Sequence, residues 1–565
     1  MSVRKNNGRK RSSVVTLGFA ALLVASTALA DHDHGDGGGV QVGTNVQVND
    51  PQQKLPNDDP GRNTTTIAAS DDGQQLLAGW EDFQGLCGPP SNVACPPQNP
   101  PGLSGFGFSL DGGLTWTDGG SPYPIGHALS AGHPWVDRGT FRDSHGHGHG
   151  DEGDDEGGRE IFFFTSRLRD DTTGADVGVS IHRGHFGNAT FVWDDAQIIN
   201  SSNPGDFYSR EAIAAAKDGS GAAYVVLCNV IDLCNLPAFG FGQIEVWRTH
   251  DGGATWQGPV IVSPDASEIT DPSDPLCGDT GPQQVAPAVA IGPHGEVYTV
   301  WQYGPEFFAD GSNSPNTKIA FSRSLDGGQT FNAPSFITTL NANRDNPPVG
   351  YGKNRMNDQP RIAVATTGEH RGRIYVTIYQ AVQPVTGAVT AQSLVSAQIY
   401  LTYSDDRGQT WSAPAVIGTP VPPTGIKRFW PTVAVRPGGD VDVVYLESQE
   451  TQATPNPTDV ECNVPTGQGR RIGPVSSLVD TYWTESRDGG ASFGPRVRVS
   501  SQTSNWCLAA YTFGGFLLSN FGDYIGVATG GDRTLTVWPD ERNGFSDVYF
   551  ADVKSNSDHD GHGHD

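Results

Sequence analysis

An all-β repeat fold is the class this sequence predicts, and three observations predict it. An eight-residue stretch recurs five times: SLDGGLTW from Ser109, THDGGATW from Thr249, SLDGGQTF from Ser324, SDDRGQTW from Ser404 and SRDGGASF from Ser486. Each copy follows a β-rich run such as KIAFSRS or QIYLTYS. Gly 73 and Pro 40 in 565 residues suit a chain of many turns, and hardly any stretch holds a helical period of useful length.

The repeated stretch reads as a tight turn between two strands. It runs Ser or Thr, any residue, Asp, any residue, Gly, any residue, Thr or Ser, then Trp or Phe. The Asp carboxylate accepts hydrogen bonds from the turn's own backbone. The second Gly supplies a positive φ. The aromatic residue returns to the core. This pattern resembles the Asp box, or bacterial neuraminidase repeat, of the sialidase-like β-propellers, over residues from about 40 to 553. The resemblance implies a propeller. The box itself is a structural turn, shared by sialidases, other glycosidases and non-enzymes.

The blades follow from a second recurrence. An apolar strand, a Gly-bearing turn and a second apolar strand recur seven times, about every 75 residues. The first strands are TTIAAS from Thr65, PWVD from Pro134, EAIAAA from Glu211, PAVAIG from Pro287, PRIAVA from Pro360, PTVAVR from Pro431 and YIGVAT from Tyr524. The unit from Pro134 carries only a box remnant, HRGHFGNATF from His182. The last unit stops after a third strand, DVYFADV, which would leave an exposed edge. The alternating segment Val40–Val48 is the natural fourth strand. The expectation is therefore one seven-bladed propeller over 40–553, closed by its two ends. Six blades is the alternative if one unit is irregular.

Residues 1–30 read as a secretory signal: Arg4, Lys5, Arg9, Lys10 and Arg11, an apolar run, then Ala28-Leu-Ala30. The expected setting is thus extracellular or periplasmic, and no later run is long enough to span a membrane. A net charge of −27 argues against nucleic acid as a partner. A monomer is expected. Seven Cys in such a chain permit disulfides, for example about the loops bounded by Cys87 and Cys95 or Cys228 and Cys234.

Strand direction assigns the faces. Inner strands start at one face, the top, and all Asp boxes fall on the opposite face. The long connections map to the top, where loops on a regular scaffold carry function. Residues just before the inner strands point into the channel mouth there. Among them are Arg62, Arg210, Glu211, Arg355, Asp358, Arg428, Trp430, Asp523 and Tyr524. Guanidinium groups bind carboxylates and paired carboxyls do acid/base work on glycosides. Sialidases use three Arg on the substrate carboxylate, a Tyr nucleophile assisted by a Glu, and an Asp acid/base. The resemblance thus implies Arg62, Arg210, Arg355 and Arg428 as substrate binders, with Trp430 stacking on a sugar. It implies Tyr524 as nucleophile, Glu211 as its base, Asp358 as acid/base and Asp523 beside them. The R-I-P motif of the first sialidase repeat is absent, with Gly61-Arg-Asn-Thr64 in its place.

Three His/Asp/Gly tracts remain: 31–39, 143–158 and the tail 554–565. His32, His34, His145, His147, His149, His559, His562 and His564 lie in them and suit zinc, nickel or copper. The alternative reading of these tracts is a solvated, disordered spacer. Carboxylates in the 263–279 loop suit calcium, without EF-hand spacing. No cofactor is required. The leading functional expectation is a secreted carbohydrate-active protein resembling exo-sialidases and related glycosidases, with a glycan as partner. The alternatives are a non-catalytic glycan- or protein-binding propeller and a metal-sequestering carrier.

Overall fold

Seven antiparallel sheets close into a ring spanning Val40–Asn556. The computed structural model describes residues 39–50, 61–82, 102–142, 158–200, 207–231, 241–263, 284–304, 315–343, 346, 348, 358–384, 395–418, 422, 425–449, 478–506, 511–513, 516–518, 522–544 and 546–555. Blades 1 to 7 begin with the inner strands Arg62–Ala69, Trp135–Phe141, Phe207–Ala215, Gln284–Ile291, Arg361–Val364, Arg428–Val435 and Gly526–Gly530. Each predicted first strand lies at the head of one blade. Apolar clusters lie between blades all the way round, joining 1 to 2, 2 to 3, 3 to 4, 4 to 5, 5 through 6 to 7, and 7 back to 1. That continuity is what stabilises a ring whose blades cannot bury both faces alone. Among the described residues no helix is long and apolar enough to cross a membrane.

Closure is by the two ends. Val40, Gln41 and Val42 pair with Ser555, Lys554 and Val553, and Val46 and Gln47 pair with Phe550 and Tyr549. Two strand pieces, interrupted after Val42, replace the single expected strand. Their partner runs Asp547–Ser555.

The Asp boxes explain their own sequence. In the first, the Asp111 carboxylate accepts the Ser109 hydroxyl at 2.8 Å, the Thr115 N–H at 2.9 Å and the Thr115 hydroxyl at 2.6 Å. The Gly113 N–H donates to Ser109 Oγ at 2.9 Å. The other four boxes repeat these bonds around Asp251, Asp326, Asp406 and Asp488. Burial works against the Asp406 charge, but bonds from Thr410, Ser404 and Gln409 hold its pKa down to about 2. Both central positions, not only the second, have positive φ, and Arg407 takes the first of them in the fourth box. The second Gly also has a packing reason: a Cβ at Gly408 would lie 2.2 Å from the Phe321 ring of the preceding blade. Blade 2 dispenses with the box. A short turn with Gly187 N–H bonded to Thr190 O joins its outer strands, and Phe108, Phe186, Phe191 and Trp193 pack beside it.

Boxes and inner hairpin turns share one face. Gly112 N–H bonds to Gln74 O and Gly252 N–H to Gly221 O. The His/Asp tracts lie outside the described residues, yet the points where they join the ring are on this face. Arg142 bonds to Gly219 of an inner hairpin turn, and Ser555 bonds to Glu485 and Arg487 at the fifth box. Cys228 is a free, buried thiol that donates to Gln284 O at 3.1 Å. The other six Cys lie outside the described residues.

Candidate active site at the channel mouth

The inner strands do not enter the ring straight. Register shifts interrupt them between Asn63 and Thr66, Ser209 and Ala212, Val285 and Ala288, and Phe429 and Thr432. Each bulge is built on a left-handed residue: Thr64, Arg210, Ala286 and Trp430, with φ of 55°, 53°, 55° and 49°. His133, just before the inner strand of blade 2, shares the conformation at 54°. Left-handed residues other than Gly cost roughly 1–3 kcal/mol each, and bulges re-aim side chains at sites. The residues after the left-handed positions are Thr65, Glu211, Pro287 and Pro431. Blade 3 alone of these puts an ionisable group there.

That group is unusual. Glu211 is 1% exposed, and among the described residues neither carboxyl oxygen has a close, well-aligned hydrogen-bond partner. Burial pushes its pKa up to about 8, outweighing the backbone N–H groups of Glu211 and Arg167 and the Arg167 guanidinium. The nearby Glu81 carboxyl pushes in the same direction. Glu81 accepts the Thr64 hydroxyl at 3.2 Å. Gly132 makes room for it, since a Cβ there would lie 2.5 Å from Glu81 Oε1.

Beside Glu211 stand Arg210, Asp523 and Tyr524. Arg210 Nη2 meets Asp523 Oδ2 at 3.3 Å, and His133 Nε2 lies 3.8 Å from the same oxygen. The Asp523 N–H donates to Thr64 Oγ1 at 3.2 Å, fixing blade 7 against blade 1. The Tyr524 phenol donates to Pro134 O at 2.8 Å rather than to a carboxylate. Burial first, then the Glu211 charge, hold its pKa well above the ordinary tyrosine value. The pairing of the phenol with Glu211 as its base is therefore not made: Glu211 acts on Tyr524 only through its charge, which opposes ionisation of the phenol.

Arg361 completes the cluster and was not singled out by the sequence. It lies inside the apolar run PRIAVA, where strand membership hides it; a charge within such a run is the available signal. Its guanidinium crosses from blade 5 to sit 4.9 Å from the Trp135 ring and 4.8 Å from the Tyr524 ring, which are themselves 5.1 Å apart. Two of its donors go to Gln359 Oε1 and Pro360 O. Burial lowers its pKa to about 10. This triad joins blade 5 to blade 2 and to the entrance of blade 7. Trp135 is only partly buried.

The remaining expected residues serve the ring, a correction to the sequence reading. Arg62 is clamped by Asp82 at 3.0 Å and Asp118 at 3.7 Å within blade 1. Arg428 pairs with Glu447 at 2.7 Å and with Gln398. These arginines do not converge with Arg210 on one point, because each has a carboxylate in its own blade. Trp430 is 3% exposed and stacks on Trp506 at 5.7 Å, which leaves no face for a sugar. Asp358 accepts the Asn343 N–H and amide, each at 3.0 Å. A hydrogen-bonded chain continues through Asn346 to the buried Lys427, so Asp358 anchors the loop after blade 4. Burial lifts its pKa to about 7. Arg355 lies outside the described residues, as do the eight tract histidines and most of the 263–279 loop. Among the described residues no group of three His, Cys, Asp or Glu is placed to hold a metal.

Seven blades stitched by five Asp boxes make the chain an Asp-box β-propeller, and the sequence model of the BNR/Asp-box repeat matches residues 402–413. Similar solved structures include a GH93 α-L-arabinofuranosidase of Fusarium graminearum in complex with arabinobiose. It is 15% identical with a TM-score of 0.41, over 72% of this chain and 92% of that one. A phage phi92 endosialidase is 10% identical with a TM-score of 0.40, over 93% and 70%. A Trypanosoma rangeli sialidase in complex with the inhibitor DANA is 12% identical with a TM-score of 0.33, over 69% and 53%. No curated protein matches in sequence.

Proposed function

We propose that this propeller is a glycoside hydrolase acting at the top mouth of its channel. The observation that carries this reading is Glu211: a buried carboxyl whose pKa burial pushes up to about 8, three blades round the ring from the ion-paired carboxylate Asp523. An acid whose burial favours its neutral form, at one mouth with a carboxylate held by an arginine, is the kind of pair glycoside hydrolysis uses. Glu211 would protonate the leaving oxygen. Asp523, oriented by Arg210 and Thr64, would assist at the sugar carbon or on water. The second reading is a non-catalytic glycan-binding propeller, favoured by the deep burial of Glu211 and Asp523, each 1% exposed. A panel of chromogenic glycosides, run against wild type and Glu211→Gln, separates the two. Turnover by wild type that the substitution abolishes supports the hydrolase; glycan binding without turnover supports the binding module.

We further propose secretion, on the basic and apolar N-terminal run, and metal capture by the three tracts. The mature N-terminus should then read near Asp31 by mass spectrometry. Zinc binding by calorimetry should disappear when all three tracts are deleted, and unchanged binding would sink that idea.

A further inference from the structure

We infer that the mouth takes an uncharged sugar in preference to an acidic one. This rests on the glycoside reading above and concerns the charge of its substrate. An acidic sugar needs a guanidinium that is available to its carboxylate. Among the described residues, the expected arginines already carry one of the chain's own. Asp82 holds Arg62, Glu447 holds Arg428 and Asp523 holds Arg210.

Arg361 is the exception, and its setting is that of a structural cation. Its charge faces the rings of Trp135 and Tyr524, and Gln359 Oε1 and Pro360 O take two of its donors. Asp523 also lies within its field. Three carboxyls, Glu81, Glu211 and Asp523, thus share this mouth with Arg210 and Arg361, and the Arg167 guanidinium and His133 stand beside them. A ligand carboxylate would add an anion beside these carboxyls in a water-poor setting, or would have to displace Asp523 from Arg210. Sugar hydroxyls ask for neither. Each donates and accepts, which matches a protonated carboxyl, a carboxylate and a guanidinium in one layer.

The test uses the full chain and paired substrates. Methylumbelliferyl glycosides of neutral hexoses and pentoses are compared with their uronic-acid and sialic-acid counterparts, with calorimetry of the free sugars in parallel. The expected result is a kcat/KM at least 100-fold higher on some neutral glycoside than on every acidic one. Asp523→Asn, which takes the carboxylate from Arg210, should raise affinity for free glucuronic or N-acetylneuraminic acid about tenfold. Binding of a neutral sugar without turnover would support the charge preference while overturning the hydrolase. Preference for an acidic glycoside would overturn the inference and leave the hydrolase standing. Neither turnover nor binding of any sugar would overturn both.

Discussion

Glu211→Gln is expected to lower turnover of a glycoside substrate by about 100- to 10,000-fold, the usual contribution of a general acid. The same substitution should leave the melting temperature unchanged or raise it. The sign follows from the burial. The folded-state pKa of about 8 lies above the ordinary value of 4.5, so the folded chain holds a proton that the unfolded chain has lost between those values. Stability is then full below pH 4.5 and falls as pH rises through 8. With each pKa unit equal to about 1.4 kcal/mol, the penalty at pH 7 is about 3 kcal/mol, which a neutral amide avoids. Activity and stability should therefore move in opposite directions. Wild-type turnover should also fall above pH 8, as the acid loses its proton. A Glu211→Gln protein that melts well below wild type and keeps its activity would show that the carboxyl is a structural element.

Deleting residues 39–49 should have the largest effect on the fold. Five residue pairs join this segment to Asp547–Ser555. Beyond them, Gly43 N–H bonds to Asp552 O, Val48 N–H to Val548 O, and Asn49 both donates to Asp547 and accepts from Val548. Asn45 reaches further, to Val499, Ser501 and Arg542. Val48 is 1% exposed, in the cluster that joins blade 7 to blade 1. At about 1 kcal/mol net per hydrogen bond, plus the lost apolar burial, the total approaches the about 5–15 kcal/mol that holds a typical domain folded. The truncated chain should accumulate as aggregate or melt tens of degrees lower, with an open strand edge on blade 7. Val48→Asp should lie between it and wild type. Equal melting of truncated and full-length chains by calorimetry would mean that the ring does not depend on this closure.

The ring was legible because its signals are local and repeated. A box carries its Ser, Asp, Gly and Thr within seven residues, and the structure uses all four in one turn. The missing fourth strand of blade 7 was legible as a deficit, and Val40–Val48 as the strand that filled it. The site was legible by position and much less by role. Glu211, Arg210, Asp523 and Tyr524 stand at strand entrances, so direction alone placed them at one mouth. The partners that decide their roles come from elsewhere in the chain. Asp523 meets Arg210 across 313 residues, and the Tyr524 phenol meets Pro134 across 390. Arg62 and Arg428 looked available because their carboxylates, Asp82 and Glu447, sit at the far ends of adjacent strands, where register alone brings them opposite. Arg361 was hidden inside a strand that its charge does not interrupt.

Acid catalysis at this mouth requires a carboxyl at residue 211 that stays protonated at neutral pH. Isotope-edited infrared titration of the Glu side chains, with Glu211→Gln subtracted from wild type, measures that proton directly. A single carboxyl band lost only near pH 8 is the predicted result, and ionisation of Glu211 between pH 4 and 5 would contradict it.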